Sequence, residues 1–143
     1  MTLVDLLQFQ RESLVRKVTG VDDATARSSP VASGTSLLWL IKHLAWAEVS
    51  WLLHRFAGQD VPWIDDTVAP DDTLTSVVES YRTAWRMVDP VLAEAGLDEL
   101  AQHTGGQGPA NLRWIVAHLL EETARHAGHA DILRELIDGE TGR

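Results

Sequence analysis

Three histidines and a glutamate near the C-terminal end of the chain are the residues best suited to chemistry. Glu122 and His126 are four residues apart, and His126 and His129 are three apart, so a helix would place all three on one side. His118 lies on the same flank, two turns before His126. Imidazoles and a carboxylate on the inward half of a helix are costly to bury unless something compensates them. A metal ion is the first compensation to consider.

The helix that carries these residues is predicted by an apolar seam whose steps alternate between three and four residues. His126 occupies the one step of the seam at which an apolar residue is missing, and His129 lies farther round the helix. The other members of the seam are Leu112, Val116, Leu119, Thr123, Ala130, Leu133 and Ile137. Asn111 is placed to cap this helix and Gly139 to end it.

A further histidine, His43, lies at the edge of the apolar face of an earlier predicted helix. Helical bundles often build metal sites from Glu and His side chains on facing helices. Three protein ligands with a water, or four ligands, could be assembled from His43, Glu122, His126 and His129. The alternative is that His126 is a core histidine hydrogen-bonded to Glu122 or Glu48, with His129 half-exposed. Glu48 is itself predicted to be partly buried, because it sits inside an apolar face.

The chain contains no cysteine, which excludes disulfides, thiolate ligands and a cysteine nucleophile. Any metal must therefore be held by His, Asp, Glu or water, a donor set that suits zinc, nickel, iron or manganese. If thiol chemistry takes place here, the thiol must arrive as a cosubstrate.

Composition and charge exclude several classes of protein. With 143 residues, of which 45% are hydrophobic, the chain suits one globular domain spanning 1–143. A net charge of −9 without a basic cluster argues against nucleic-acid binding. The sequence has no unbroken apolar run of about 18 residues, so no membrane span is predicted. No secretion signal is visible at the N-terminus, so a cytoplasmic location is expected.

The elements that must position these residues are four amphipathic helices, predicted over about 2–19, 36–57, 72–95 and 111–139. Pro90 should kink or split the third helix. The segment between the first two helices is small and polar and is predicted to be a loop. Four such helices in a small all-α domain favour a four-helix bundle. The connections are long enough for one of them to cross over between parallel helices.

Two stretches of the sequence resemble the DinB-like superfamily. They are HLLEETARHAGHADILRELIDG, on the last helix, and LLWLIKHLAWAEVSW, on the second. The branch that the chain resembles most is catalogued as a domain of unknown function, DUF664. The resemblance implies a four-helix bundle with up-down-down-up order.

The resemblance also implies a site. Members of the superfamily bind a divalent metal through a histidine on the second helix and an H-x3-H pair on the last. His43 matches the first position, His126 matches the second histidine of the pair, and Glu122 stands where the first would be. An E-x3-H pair is similar to that of mycothiol-dependent maleylpyruvate isomerases. His129 stands at the usual glutamine position, as a fourth ligand or as a hydrogen-bond donor behind the ligands.

On this resemblance we expect a metal-dependent transferase, with zinc or nickel as the metal. It would activate a small thiol such as mycothiol for attack on an electrophile, with Glu48 or His129 as the proton acceptor. The alternative is a non-catalytic dimeric protein that binds metal or is associated with stress. Trp39 and Trp46 point away from the core-facing stripe of the second helix. They therefore predict either a homodimer interface or a cover supplied by the first helix.

Overall fold

The computed structural model describes residues 2–103 and 108–142, and their regular structure is helical. The helices are α1 (Leu3–Val18), α2 (Asp23–Arg27), α3 (Leu37–Glu48), α4 (Leu74–Glu94) and α5 (Leu112–Asp138). A π-helical segment, Val49–Phe56, follows α3 directly. The predicted all-α fold is confirmed. No helix in this part of the chain combines the length and the apolar character that a membrane span requires.

Side-chain caps fix the start of every α-helix. Thr2, Ser36, Thr73 and Asn111 each accept a hydrogen bond from the backbone N–H three residues later, as N-cap side chains do. Gly139 ends α5 in the left-handed conformation, with φ of 75°, which glycine adopts without steric cost. The two ends of the helix that carries the candidate site are therefore those that the sequence predicts.

Helix α2 was not predicted, because the segment between α1 and α3 is rich in small and polar residues. Asp22 caps this short helix by accepting from the N–H of Thr25, and Ala26 is buried. Its Arg27 donates to the carbonyl oxygens of Ala69 and Asp72, at 2.9 and 2.7 Å. The short helix thus holds the loop between the π-helical segment and α4.

Two details of the long helices differ from the prediction. The second helix is α-helical only as far as Glu48, after which bonds from residue i+5 to residue i take over. One example is the bond from the Ala57 N–H to the Leu52 carbonyl, at 3.1 Å. Pro90 lies inside α4 without splitting it. It is exposed and belongs to the last turns of the helix, where its ring faces solvent.

Contacts between helices establish the direction of each one. Lys17, near the end of α1, pairs with Asp131 near the end of α5, and Arg134 donates to the carbonyl oxygen of Lys17 at 2.6 Å. Helices α1 and α5 are therefore parallel. The ring of Trp51 meets that of Trp114 at 5.5 Å, at the opposite end of α5, and this contact makes the second helix antiparallel to α5.

The pairing of α3 with α4 completes the topology. Lys42 binds Asp72 at 2.7 Å, just before α4 begins, and Glu48 accepts from Tyr81 at 3.3 Å one to two turns into α4. The later residue of α3 contacts the later residue of the α4 segment, so α3 and α4 are parallel. The connection between them is therefore the crossover. The up-down-down-up order is confirmed. One hydrophobic core joins the helices, and the apolar seam of α5 faces it.

Candidate metal centre

His43, Glu122 and His126 are brought together where α3 crosses α5. One potential ligand atom from each lies within 4.8 Å of the others. Nε2 of His126 is 3.5 Å from Oε2 of Glu122, and Nε2 of His43 is 3.9 Å from the same oxygen. Two of these side chains lie on adjacent turns of one helix, as their i, i+4 spacing predicts, and the third comes from the antiparallel helix.

Burial keeps His126 in the neutral form that binds metals. The residue is 7% exposed. Burial, together with the neighbouring His43, lowers the pKa of His126 to about 4, against an opposing effect of Glu122. At neutral pH its imidazole is therefore uncharged and keeps a free lone pair. Glu122 and His43 are both 19% exposed at the side chain, so the cluster opens to solvent on one side.

The second ring nitrogen of each histidine also has a partner. Nδ1 of His43 lies 3.2 Å from Oδ2 of Asp66, in the loop that precedes α4. Nδ1 of His126 lies 3.2 Å from Nδ1 of His129, one turn along α5. In both rings Nδ1 is engaged on the far side and Nε2 faces the cluster. His129 thus contacts the cluster through the back of His126.

The two tryptophans of α3 flank His43. Trp39 stacks on its imidazole with ring centroids 4.8 Å apart, and Trp46 stacks on it at 5.6 Å. The edge of Trp39 also meets His126, at 6.0 Å. Both indoles are half-buried and pack against the core. Part of the indole surface that suggested a homodimer interface is therefore covered by His43. The homodimer stays a prediction.

Glu48 is buried, as predicted, but its described contacts lead away from the cluster. Nε of Arg11 donates to its Oε1 at 2.9 Å, a second guanidinium nitrogen binds Oε2, and the hydroxyl of Tyr81 donates to Oε1 at 3.3 Å. Arg11 also binds Asp89 at 3.1 Å. Burial raises the pKa of Glu48 and the Arg11 guanidinium opposes that rise. This network joins α1, α3 and α4 inside the core.

The cluster fits a divalent transition metal. In tetrahedral coordination with bonds of about 2.0 to 2.1 Å, ligand atoms lie about 3.3 Å apart. The separations from Oε2 of Glu122 are 3.5 and 3.9 Å, and every pair of candidate ligand atoms lies within 4.8 Å, so the three atoms are close to that spacing but not yet at it. Two neutral imidazoles and one carboxylate are also a donor set that zinc and nickel accept. Metal binding would draw the three ligand atoms closer together.

Asp66 is the neighbour of the cluster that sequence reasoning missed. Asp66 lies in a loop, and a loop has no regular spacing of apolar residues from which the position of a side chain can be predicted. The adjacent carboxylates of Asp65 and Asp66, close to Trp63, were the only local sign. Contact between this loop and His43 depends on the path of the crossover connection, which spacing along the chain does not encode.

Two other histidines lie in aromatic stacks. His118 stacks on Trp114 at 5.1 Å and meets the edge of Trp51 at 4.9 Å. His54 stacks on the exposed Trp63 at 3.8 Å. Both histidines stand outside the candidate metal cluster.

Comparisons with known proteins bear on the whole chain. Residues 2–139 match the family described as mycothiol-S-transferase. Among solved structures, a conserved protein from Enterococcus faecalis is similar over 96% of each chain, with a TM-score of 0.68 and 17% identity. At that identity the likeness shows the fold alone. A search of curated proteins finds no match.

Proposed function

The chain belongs to the mycothiol-S-transferase family, and on that premise we propose that it is a metal-dependent transferase that joins mycothiol to an electrophile. The observation that carries the metal dependence is the convergence of His43, Glu122 and His126 on one point between α3 and α5. The absence of cysteine agrees with a reaction in which the cosubstrate supplies the sulfur.

In this proposal His43, Glu122 and His126 hold a divalent ion, with zinc or nickel favoured by the nitrogen and oxygen donors. A bound divalent cation lowers the pKa of a thiol that approaches it, so that thiolate forms near neutral pH. With a single carboxylate among the three ligands, a bound divalent ion would keep a net positive charge at the site. Three protein ligands also leave room for a sulfur atom on the side open to solvent.

The reaction then requires one new carbon–sulfur bond. The thiolate sulfur donates an electron pair to the electrophilic carbon. Either a leaving group departs with its bonding pair, or the π bond at that carbon breaks and its electrons move to the neighbouring atom, which then takes a proton from water. His43 and Glu122, each 19% exposed, border the side on which both cosubstrates must meet. The thiol proton passes to water there.

Neither of the two proton acceptors suggested by the sequence enters this step. The oxygens of Glu48 are occupied by Arg11 and Tyr81. His129 contacts Nδ1 of His126, and in this proposal it supports that ligand and does not accept the thiol proton. If a bound metal lowered the pKa of the thiol, no dedicated base would be needed.

The test combines metal analysis with a thiol-consumption assay. Purified protein should hold about one divalent metal per chain. The loaded form should consume mycothiol together with a fluorogenic alkylating agent, and the metal-free form should not. His43→Ala should lose both metal and turnover, whereas His103→Ala, at an exposed histidine, should keep both. Metal binding without any loss of thiol would support the non-catalytic alternative, and failure to bind zinc, nickel or manganese would refute the proposal.

A further inference from the structure

We propose that Asp66 is a positioning residue that prepares His43 to bind metal, by holding the ring proton on Nδ1 and leaving Nε2 free. The inference rests on the proposed function for its consequence, metal affinity. The inference itself concerns which ring nitrogen of His43 carries the hydrogen, and this can be measured in the metal-free protein.

The first argument is the pairing of atoms. An ionised carboxylate can only accept hydrogen bonds, so Nδ1 of His43, 3.2 Å from Oδ2 of Asp66, must carry the hydrogen. In a neutral imidazole the other nitrogen then has the lone pair. That nitrogen, Nε2, is the one that faces Glu122 at 3.9 Å. Hydrogen bonds from a ligating histidine to a carboxylate fix the ring and make it a stronger donor.

The second argument is that His43 has little freedom to turn. Its ring is stacked between Trp39, at 4.8 Å with an interplanar angle of 18°, and Trp46, at 5.6 Å with an angle of 28°. The two indoles fix the plane of the imidazole but leave open which edge points at the cluster. Asp66 makes that choice, because a half-turn of the ring about its attachment would break its bond to Nδ1.

The third argument is that the loop carrying Asp66 is itself held in place. Arg27 of α2 donates to the carbonyl oxygens of Ala69 and Asp72. The Asp72 carboxylate binds Lys42 at 2.7 Å, and Lys42 is the residue before His43. The loop is thus attached to α3 next to the histidine that Asp66 contacts. The side chain of Asp66 is itself half-buried, at 38% exposed.

Asp65 provides a matched control. It is the adjacent residue in the same loop, carries the same charge and is exposed. Its carboxylate accepts a hydrogen bond from the backbone N–H of Thr67 at 2.8 Å, and that bond is local to the loop. A substitution at Asp65 therefore changes the charge near the cluster by the same amount as one at Asp66, without removing the bond to Nδ1 of His43.

The direct experiment is nitrogen NMR of the imidazole rings in metal-free protein at pH 8, with the His43 signals assigned by their loss in His43→Ala. In the wild type we expect the Nδ1–H tautomer of His43. Asp66→Ala should shift His43 toward the Nε2–H form, while Asp66→Asn, whose amide oxygen still accepts a hydrogen bond, should shift it less. Asp65→Ala should leave it unchanged. An unchanged tautomer in Asp66→Ala would overturn the inference.

The consequence is measured as zinc affinity by competition with a chelator. Loss of a carboxylate behind a ligating histidine weakens metal binding by about 10- to 100-fold, so we expect that loss in Asp66→Ala, a smaller loss in Asp66→Asn and almost none in Asp65→Ala. Equal losses at both aspartates would assign the effect to charge alone and refute positioning. If wild-type protein binds no metal, the proposed function fails, and the NMR comparison still decides the role of Asp66. Circular dichroism of each variant confirms that the helices are retained.

Discussion

The role of Glu48 can be decided by replacing it with glutamine. The side chains of Arg11 and Glu48 are 1% and 0% exposed, and they form a two-bond ion pair. Breaking a buried pair by removing one charge costs about 3 to 5 kcal/mol, because the other charge stays buried without compensation. Glutamine keeps one acceptor oxygen, and Asp89 still binds Arg11 at 3.1 Å. We therefore expect a loss near the lower end, about 3 kcal/mol.

The assay is urea unfolding of the metal-free protein, followed by circular dichroism. The control is Glu121→Gln, which also removes one partner of an arginine–carboxylate pair, but an exposed one between Glu121 and Arg125. Exposed pairs contribute little, so this control should unfold almost as the wild type does. Metal affinity of Glu48→Gln should match the wild type once the protein is folded. A loss below about 1 kcal/mol, or normal stability with slow turnover, would refute the structural role and restore Glu48 as proton acceptor.

Three further outcomes are expected. His126→Ala should abolish metal binding, whereas His129→Ala, which removes only the partner of Nδ1, should weaken it by about 10- to 100-fold in calorimetry; equal losses would make His129 a full ligand. The unfolding free energy of the metal-free protein should fall as the pH drops from about 6.5 to 4. Over this range His126 is protonated in the unfolded chain but stays neutral in the folded protein, where its pKa is about 4. After allowance for solvent screening, the loss should be about 1 to 2 kcal/mol, and a flat profile in urea titrations would contradict it. Sedimentation should show a homodimer, and a monomer at micromolar concentration would mean that packing within the chain covers Trp39 and Trp46.

The long helices were predictable because their signals are local. Apolar spacing, side-chain caps such as Asn111 and the stop at Gly139 all act within a few residues. The resemblance to the DinB-like superfamily, which the family match confirms, added the direction of each helix. The i, i+4 spacing of Glu122 and His126 likewise predicted a shared face, on which the structure places them.

The remaining features depend on contacts between distant segments. Val49–Phe56 has the composition of an ordinary amphipathic helix, and packing decides whether its bonds span four or five residues. Glu48 was predicted to be buried, but its partner Arg11 lies 37 residues away and could not be identified from spacing. Asp66 reaches His43 only through the path of the crossover loop.

The π-helical segment begins between the candidate metal cluster and the contact that the second helix makes with the start of α5. His43 lies before this segment and faces Glu122 and His126, whereas Trp51 lies within it and faces Trp114. A π-helical turn holds more residues than an α-helical turn, so losing one residue inside Val49–Phe56 could return it to α-helical bonding and rotate the far end alone. Such a deletion would change the shape of the aromatic end while His43 kept its register with Glu122 and His126.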